Sequence, residues 1–226
     1  MSSGGGGVGG PITAVISDFG GVLTSPLWQA FAEVQDGLGV PADALNAALD
    51  RARAASGRAP LHALERGELP EADFLDELGG HHAAHVGRPV PLEDFPDRYF
   101  AALQVDARLV ARLGEVRRAG YRTALLTNNV REWEPRWRAM FPADDLFEVI
   151  VDSARVGVRK PDPAIYALCC ERLGVAPEAC VFLDDIEANC EAAAALGITP
   201  VHWVDAASAL AGLDAVLAAR GAPPRG

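Results

Sequence analysis

Residues 12–24, ITAVISDFGGVLT, change character within a few positions. Residues 12–17 are a short β-branched run, the pattern of a buried strand. Asp18 follows at once, and Gly20-Gly21 give a tight loop. From Trp28 to about Leu103 the pattern turns helical. AFAEVQDGL, ADALNAALDRARAA, EADFLDEL and DFPDRYFAALQ each place apolar residues three and four apart. Pro41-Ala42-Asp43, Leu69-Pro70-Glu71 and Pro91 are candidate helix starts.

Beyond residue 106, strands and helices alternate. Residues 107–119 are amphipathic and stop at Gly120. YRTALL (121–126) reads as a strand ending at Thr127-Asn128-Asn129. Residues 130–140 read as a helix, with Pro135 tolerable only near its first turn or at a kink. LFEVIV (146–151) is a strand, and 163–173 a helix ending at Gly174. ACVFL (179–183) runs into Asp184-Asp185; 186–196 is a helix, 198–204 a strand and 206–220 a helix. Such alternation predicts an α/β fold, a doubly wound, Rossmann-like parallel sheet. The helical block at 26–105 interrupts it after the first strand and reads as an inserted all-helical cap. The expected organisation is a Gly-rich tail at 1–10, a core of 11–25 and 106–220, the cap at 26–105, and a tail at 221–226.

In doubly wound sheets ligands bind at the carboxyl ends of the strands. The polar clusters lie there: Asp18, Thr127-Asn128, and Asp184-Asp185 with Asn189. GVRKPDP adds Lys160. Taken singly, Asp18 could be a helix N-cap, KPDP a helix-start turn and the Asp pair a solvated cap. Taken together they suit one chemistry. Carboxylates of Asp18 and Asp185 can hold Mg²⁺, which prefers hard oxygen ligands, and a carbonyl near Gly20 can add another. The metal and Lys160 offset repulsion between a carboxylate nucleophile and a phosphate. Thr127 and Asn128 can donate to phosphoryl oxygens. Asp18 would attack phosphorus and form an aspartyl-phosphate for water to cleave. Asp184 and Asn189 would orient the groups around Lys160 and the metal ligands.

In this order the four motifs resemble the haloacid dehalogenase-like superfamily. TALLTNN, VGVRKPDPAIY and VFLDDIEANCEAAAALGI are similar to the phosphatase domain at the N-terminus of soluble epoxide hydrolases and its single-domain bacterial relatives. The likeness covers nearly all of residues 12–205; the C-terminal half is specific, and the cap matches in position and helicity only. It implies Asp18 as nucleophile, Asp18, Asp185 and the Gly20 carbonyl as metal ligands, and Thr127, Asn128 and Lys160 around the phosphate. Asp184 and Asn189 belong to the metal-side acidic loop. One position departs. Phosphatases of the superfamily usually carry an acid–base Asp two residues after the nucleophile, where this chain has Gly20. Such a group is worth about 10²–10⁴-fold in rate, so its loss leaves a slow enzyme unless another group serves. The competing readings are a 2-haloacid dehalogenase, which needs no Mg²⁺, and a fold kept for binding that is catalytically weak or silent.

The bulk composition is compatible. Half of the 226 residues are hydrophobic, 23% are charged, and the formal net charge is −11. That balance argues against nucleic-acid binding but not against a small phosphorylated metabolite. No apolar run reaches the ~20 residues of a membrane span. Cys169, Cys170, Cys180 and Cys190 match neither a zinc site nor a redox pair, so buried free thiols in a reducing cytoplasm are expected. A monomer or homodimer is expected. His81, His82 and His85 have helical spacing but no fourth ligand nearby, and read as a solvated cap turn. Trp133 and Trp137 read as packing residues. Trp28 and Phe31 read as either hinge packing or substrate contacts. Arg155 and Arg159 read as either solvated loop residues or an attraction for anions.

Overall fold

The computed structural model describes residues 10–221. β1 (Ala14–Ser17), β2 (Arg122–Thr127), β3 (Val149–Asp152), β4 (Cys180–Asp184) and β5 (Thr199–His202) form one parallel sheet in the order β3-β2-β1-β4-β5. β1 is central, with Ser17 in register with Leu125 on one side and Leu183 on the other. The chain winds outward in both directions from β1, so a crevice opens at its carboxyl end. Asp18 extends that ladder by one bond, its N–H donating to the Leu183 carbonyl at 2.9 Å.

Between β1 and β2 lie α1 (Leu27–Gly37), α2 (Ala44–Ser56), α3 (Pro60–Glu65), α4 (Glu71–Val86), α5 (Phe95–Ala102) and α6 (Ala107–Arg118). After β2 come α7 (Glu134–Met140) and α8 (Ala143–Leu146), then α9 (Ser153–Val156) and α10 (Pro163–Leu173) after β3. α11 (Glu187–Ala195) follows β4, and α12 (Ala206–Arg220) follows β5. Alternation along the strands sends side chains to opposite faces. Val15, Leu125 and Val181 pack with Leu109 and Leu113 of α6 and Leu213 of α12. Ile16, Leu126 and Phe182 pack on the other face with Ile165, Tyr166 and Cys169 of α10. A strand buried on both sides must be apolar throughout, which is why β1, β2 and β4 read as continuous apolar runs.

The helices α1–α5 have a core of their own, including Val34, Ala44, Ala48, Phe74, Leu78 and Tyr99. An aromatic stack ties α1 to α5, with Phe31 and Tyr99 centroids 5.0 Å apart. Several expectations shift in this region. α3 was not foreseen, being six residues started by Pro60. α4 does not stop at Leu78 but runs through Gly79-Gly80 to Val86. The His81, His82 and His85 turn is therefore helical, and His82 is buried with both ring nitrogens unpartnered. The helix at 130–140 divides into a 3₁₀ turn, Arg131–Trp133, and α7, because Pro135 lacks an N–H and sits at a helix start. α8 and α9 are single turns that the periodicity missed. The tails expected at 1–10 and 221–226 lie, but for Gly10 and Gly221, outside the described residues. No helix among the described residues is long and apolar enough to cross a membrane.

Candidate active site

At the carboxyl edge of the sheet Asp18 leaves β1, Asn128 leaves β2, and Asp184-Asp185 close β4. Lys160 comes from the loop ahead of α10. Asn128 fixes that loop: its Oδ1 accepts from the Lys160 N–H at 2.8 Å and its Nδ2 donates to the Lys160 carbonyl at 3.0 Å. The Lys160 ammonium is 1% exposed and lies 2.7 Å from Asp18 Oδ1 and 2.6 Å from Asp184 Oδ2. Asp184 is held through both oxygens, because its Oδ1 also accepts from the Ile186 N–H at 2.8 Å and Asn189 Nδ2 at 2.9 Å. Asn189 is held in turn by Tyr166, whose hydroxyl donates to its carbonyl at 3.0 Å.

Asp185 completes the group. One oxygen from each of Asp18, Asp184 and Asp185 lies within 4.8 Å of the others. Gly21 makes this possible. A Cβ there would come within 2.3 Å of Asp185 Oδ2, and its φ of +78° is one that L side chains rarely adopt. Three carboxylates face a single ammonium, an excess of two negative charges in a buried place. Burial pushes the Asp18 carboxyl above its ordinary range against the pull of Lys160. It pushes Asp185 up to about 6, with the Asp184 charge adding. Burial lowers the Lys160 pKa, but Asp18 and Asp184 outweigh it and keep the ammonium charged. Hard oxygen donors, excess negative charge and carboxyls that resist ionisation together describe a place that gains from a divalent cation.

The anticipated residues thus meet, with distinctions. Asp18, Gly20, Asn128, Lys160, Asp185 and Asn189 line a cavity of about 270 Å³ between the sheet edge and the inserted helices. Asp184 and Thr127 are buried and do not line it. The rest of the wall is largely apolar, including Phe31, Leu49, Phe74, Tyr99 and Trp133. Trp28 is 69% exposed and takes no part in hinge packing. Arg155 pairs with Glu134 at 2.5 Å. Arg159 pairs with Glu65 at 2.6 Å across the cavity wall. Glu65 and Tyr99 were not anticipated. Glu65 lies on α3, whose pattern is too short to register; Tyr99 lies in an expected helix, whose spacing does not set its hydroxyl apart. Among the described residues, the four cysteines are buried and free.

The sequence pattern of haloacid dehalogenase-like hydrolases matches residues 12–197. The mouse protein acyl-CoA dehydrogenase family member 10 is 33% identical over 90% of this chain and 19% of its own length. Bifunctional epoxide hydrolase 2 of Sus scrofa is 26% identical over 91% of the chain and 39% of its own. The chain thus spans well under half of these relatives. A sesquiterpene phosphatase of Aspergillus oryzae is 29% identical, covering 62% of the chain and 70% of its own. Among solved structures, an enzyme of Bacteroides thetaiotaomicron in complex with magnesium and inorganic phosphate superimposes with a TM-score of 0.62 at 23% identity. It covers 84% of this chain and 93% of that one, a likeness of fold.

Proposed function

Because the chain belongs to the haloacid dehalogenase-like hydrolase family, we propose that it is a Mg²⁺-dependent phosphatase acting through Asp18 on a small phosphorylated molecule with an apolar body. The observation that carries this reading is the meeting of Asp18, Asp185 and Lys160 at one end of a mostly apolar cavity. Asp18, Asp185 and the Gly20 carbonyl would hold Mg²⁺, which supplies charge for a phosphoryl group to be drawn toward a carboxylate.

The chain's own groups do the rest. Lys160 cancels part of the charge on Asp18 and faces the incoming phosphate. Asp18 displaces the leaving oxygen and becomes a mixed anhydride, which water then hydrolyses at phosphorus. Asp184, fixed by Ile186 and Asn189, keeps the ammonium aimed. Asn128 holds the Lys160 loop and retains one amide N–H for a phosphoryl oxygen. Thr127 stands behind it at the end of β2. The helices α1–α5 act as a cap that excludes water and receives the substrate's body. The apolar walls and the likeness to a sesquiterpene phosphatase support such a body.

The test is hydrolysis of a panel of alkyl, aryl, acyl and sugar phosphates with Mg²⁺ and with EDTA, using Asp18→Asn as the blank. The proposal expects turnover that needs both Mg²⁺ and Asp18. Hydrolysis surviving in Asp18→Asn, or none on any phosphate, overturns it.

A further inference from the structure

Gly20 leaves the first loop without the acid that usually protonates the leaving group. No side chain reaches in from that position, and the space next to it is taken. A Cβ on Gly20 would stand 2.9 Å from Leu27 Cδ1. An acid for the leaving group would therefore have to come from elsewhere in the cavity wall. The ionisable groups lining it are Asp18, Glu65, Tyr99, Arg159, Lys160 and Asp185. Asp18 and Asp185 are the proposed nucleophile and metal ligands, and Lys160 is locked between two carboxylates. Arg159 does not give up a proton in this range. That leaves Glu65 and Tyr99.

We propose that Glu65, carried into the cavity by α3 and positioned by Arg159, is the general acid and base of the hydrolysis, taking the place that Gly20 vacates. The inference rests on the phosphatase reading above. Three further observations support it. Glu65 Oε2 takes a single short contact from Arg159 Nε at 2.6 Å, which aims the carboxyl from the residue next to Lys160. Burial holds the Glu65 carboxyl above its ordinary range, while Arg159, Lys160 and Arg66 pull against it. A phosphate dianion seated at Lys160 adds like charge and favours its protonated form further. Asp18, Asp185, Glu65 and Tyr99 all line this one cavity, so the carboxyl of Glu65 shares the space of the proposed nucleophile. Tyr99 itself is pushed well above the ordinary phenol range, chiefly by burial, which makes it a weaker acid than Glu65.

In the first half, Asp18 forms its bond to phosphorus as the phosphorus–oxygen ester bond breaks. The electron pair of that bond goes to the leaving oxygen, and the Glu65 proton goes with it to give an alcohol. In the second half, the Glu65 carboxylate takes a proton from water as its oxygen attacks phosphorus. The Asp18 carboxylate and inorganic phosphate are released, and Glu65 is a neutral acid again.

The experiment compares two probes on the intact protein with Mg²⁺: n-hexyl phosphate, whose alkoxide needs a proton, and p-nitrophenyl phosphate, whose phenolate does not. Glu65→Gln keeps shape and a hydrogen bond to Arg159. It is expected to lower kcat/KM on n-hexyl phosphate by on the order of 10²-fold, with less than about a threefold loss on p-nitrophenyl phosphate. Glu65→Asp, which keeps a carboxyl, is expected to recover part of the n-hexyl phosphate loss. Equal losses on both probes would make Glu65 only a strut between cap and core, and would overturn the proposal. So would an unchanged n-hexyl phosphate rate. Asp18→Asn separates the two claims: if it abolishes both activities while Glu65→Gln leaves their ratio unaltered, Glu65 fails and the phosphatase reading stands.

Discussion

Asp152 shows what a buried carboxyl costs outside the candidate site. It ends β3 and caps α9, its Oδ1 accepting from the Ala154 N–H at 2.9 Å. Its Oδ2 is buried without a partner. Burial pushes its pKa from 3.8 up to about 6. A folded pKa above the unfolded one means the native state holds the proton more tightly. This group's contribution is complete below about pH 4 and lost as pH rises through about 6, up to roughly 3 kcal/mol. Asp152→Asn removes that titration. The difference in unfolding free energy between wild type and variant should therefore slope between pH 4 and 6 and flatten above, by urea denaturation. A difference independent of pH over that window would mean that Asp152 ionises normally. Gly21 has a sharper local role. Alanine there would strain a backbone at φ +78° by about 1–2 kcal/mol and push its Cβ into Asp185. Gly21→Ala should stay folded by circular dichroism yet lose on the order of 10²-fold in Mg²⁺-dependent kcat/KM. Full activity would detach Asp185 from the chemistry.

At the scale of elements, legibility in the sequence followed length and burial. α10 and α12 appear with the limits the sequence suggested, because Pro163 and Asp162 start one, Asp205 caps the other, and glycines follow both. β1, β2 and β4 were visible as apolar runs because both their faces are covered. Single turns were not visible. α3, α8 and α9 hold four to six residues, too few for a 3.6-residue period to emerge. The continuation of α4 through Gly79-Gly80 was hidden for another reason. Tertiary packing of Phe74, Leu78 and His82 overrides the low helix propensity of the two glycines. The omission of α3 mattered most, since α3 carries Glu65 to the cavity. Residues following strands could be read from the chain; residues arriving on a short cap helix could not, because nothing in their own spacing announces a partner ninety-four positions away.

For the whole molecule, the design is a sheet whose central strand faces two directions and a set of inserted helices over its carboxyl edge. The crossing point at β1 brings Asp18 beside Asp184-Asp185 from β4 and, through Asn128 on β2, beside Lys160. The net charge of −11 gives no hint of an anionic substrate; on the proposed phosphatase reading, the local ammonium and a divalent cation at the acidic cluster would supply that attraction. The inserted helices, with an apolar core of their own, supply most of the cavity's apolar wall. The most direct measurement is rapid-quench mass spectrometry of the protein mixed with Mg²⁺ and p-nitrophenyl phosphate. A phosphoryl adduct on the peptide bearing Asp18, formed and lost at rates that match turnover and absent from Asp18→Asn, is the predicted result. Steady turnover with the phosphoryl group on another residue would contradict the account.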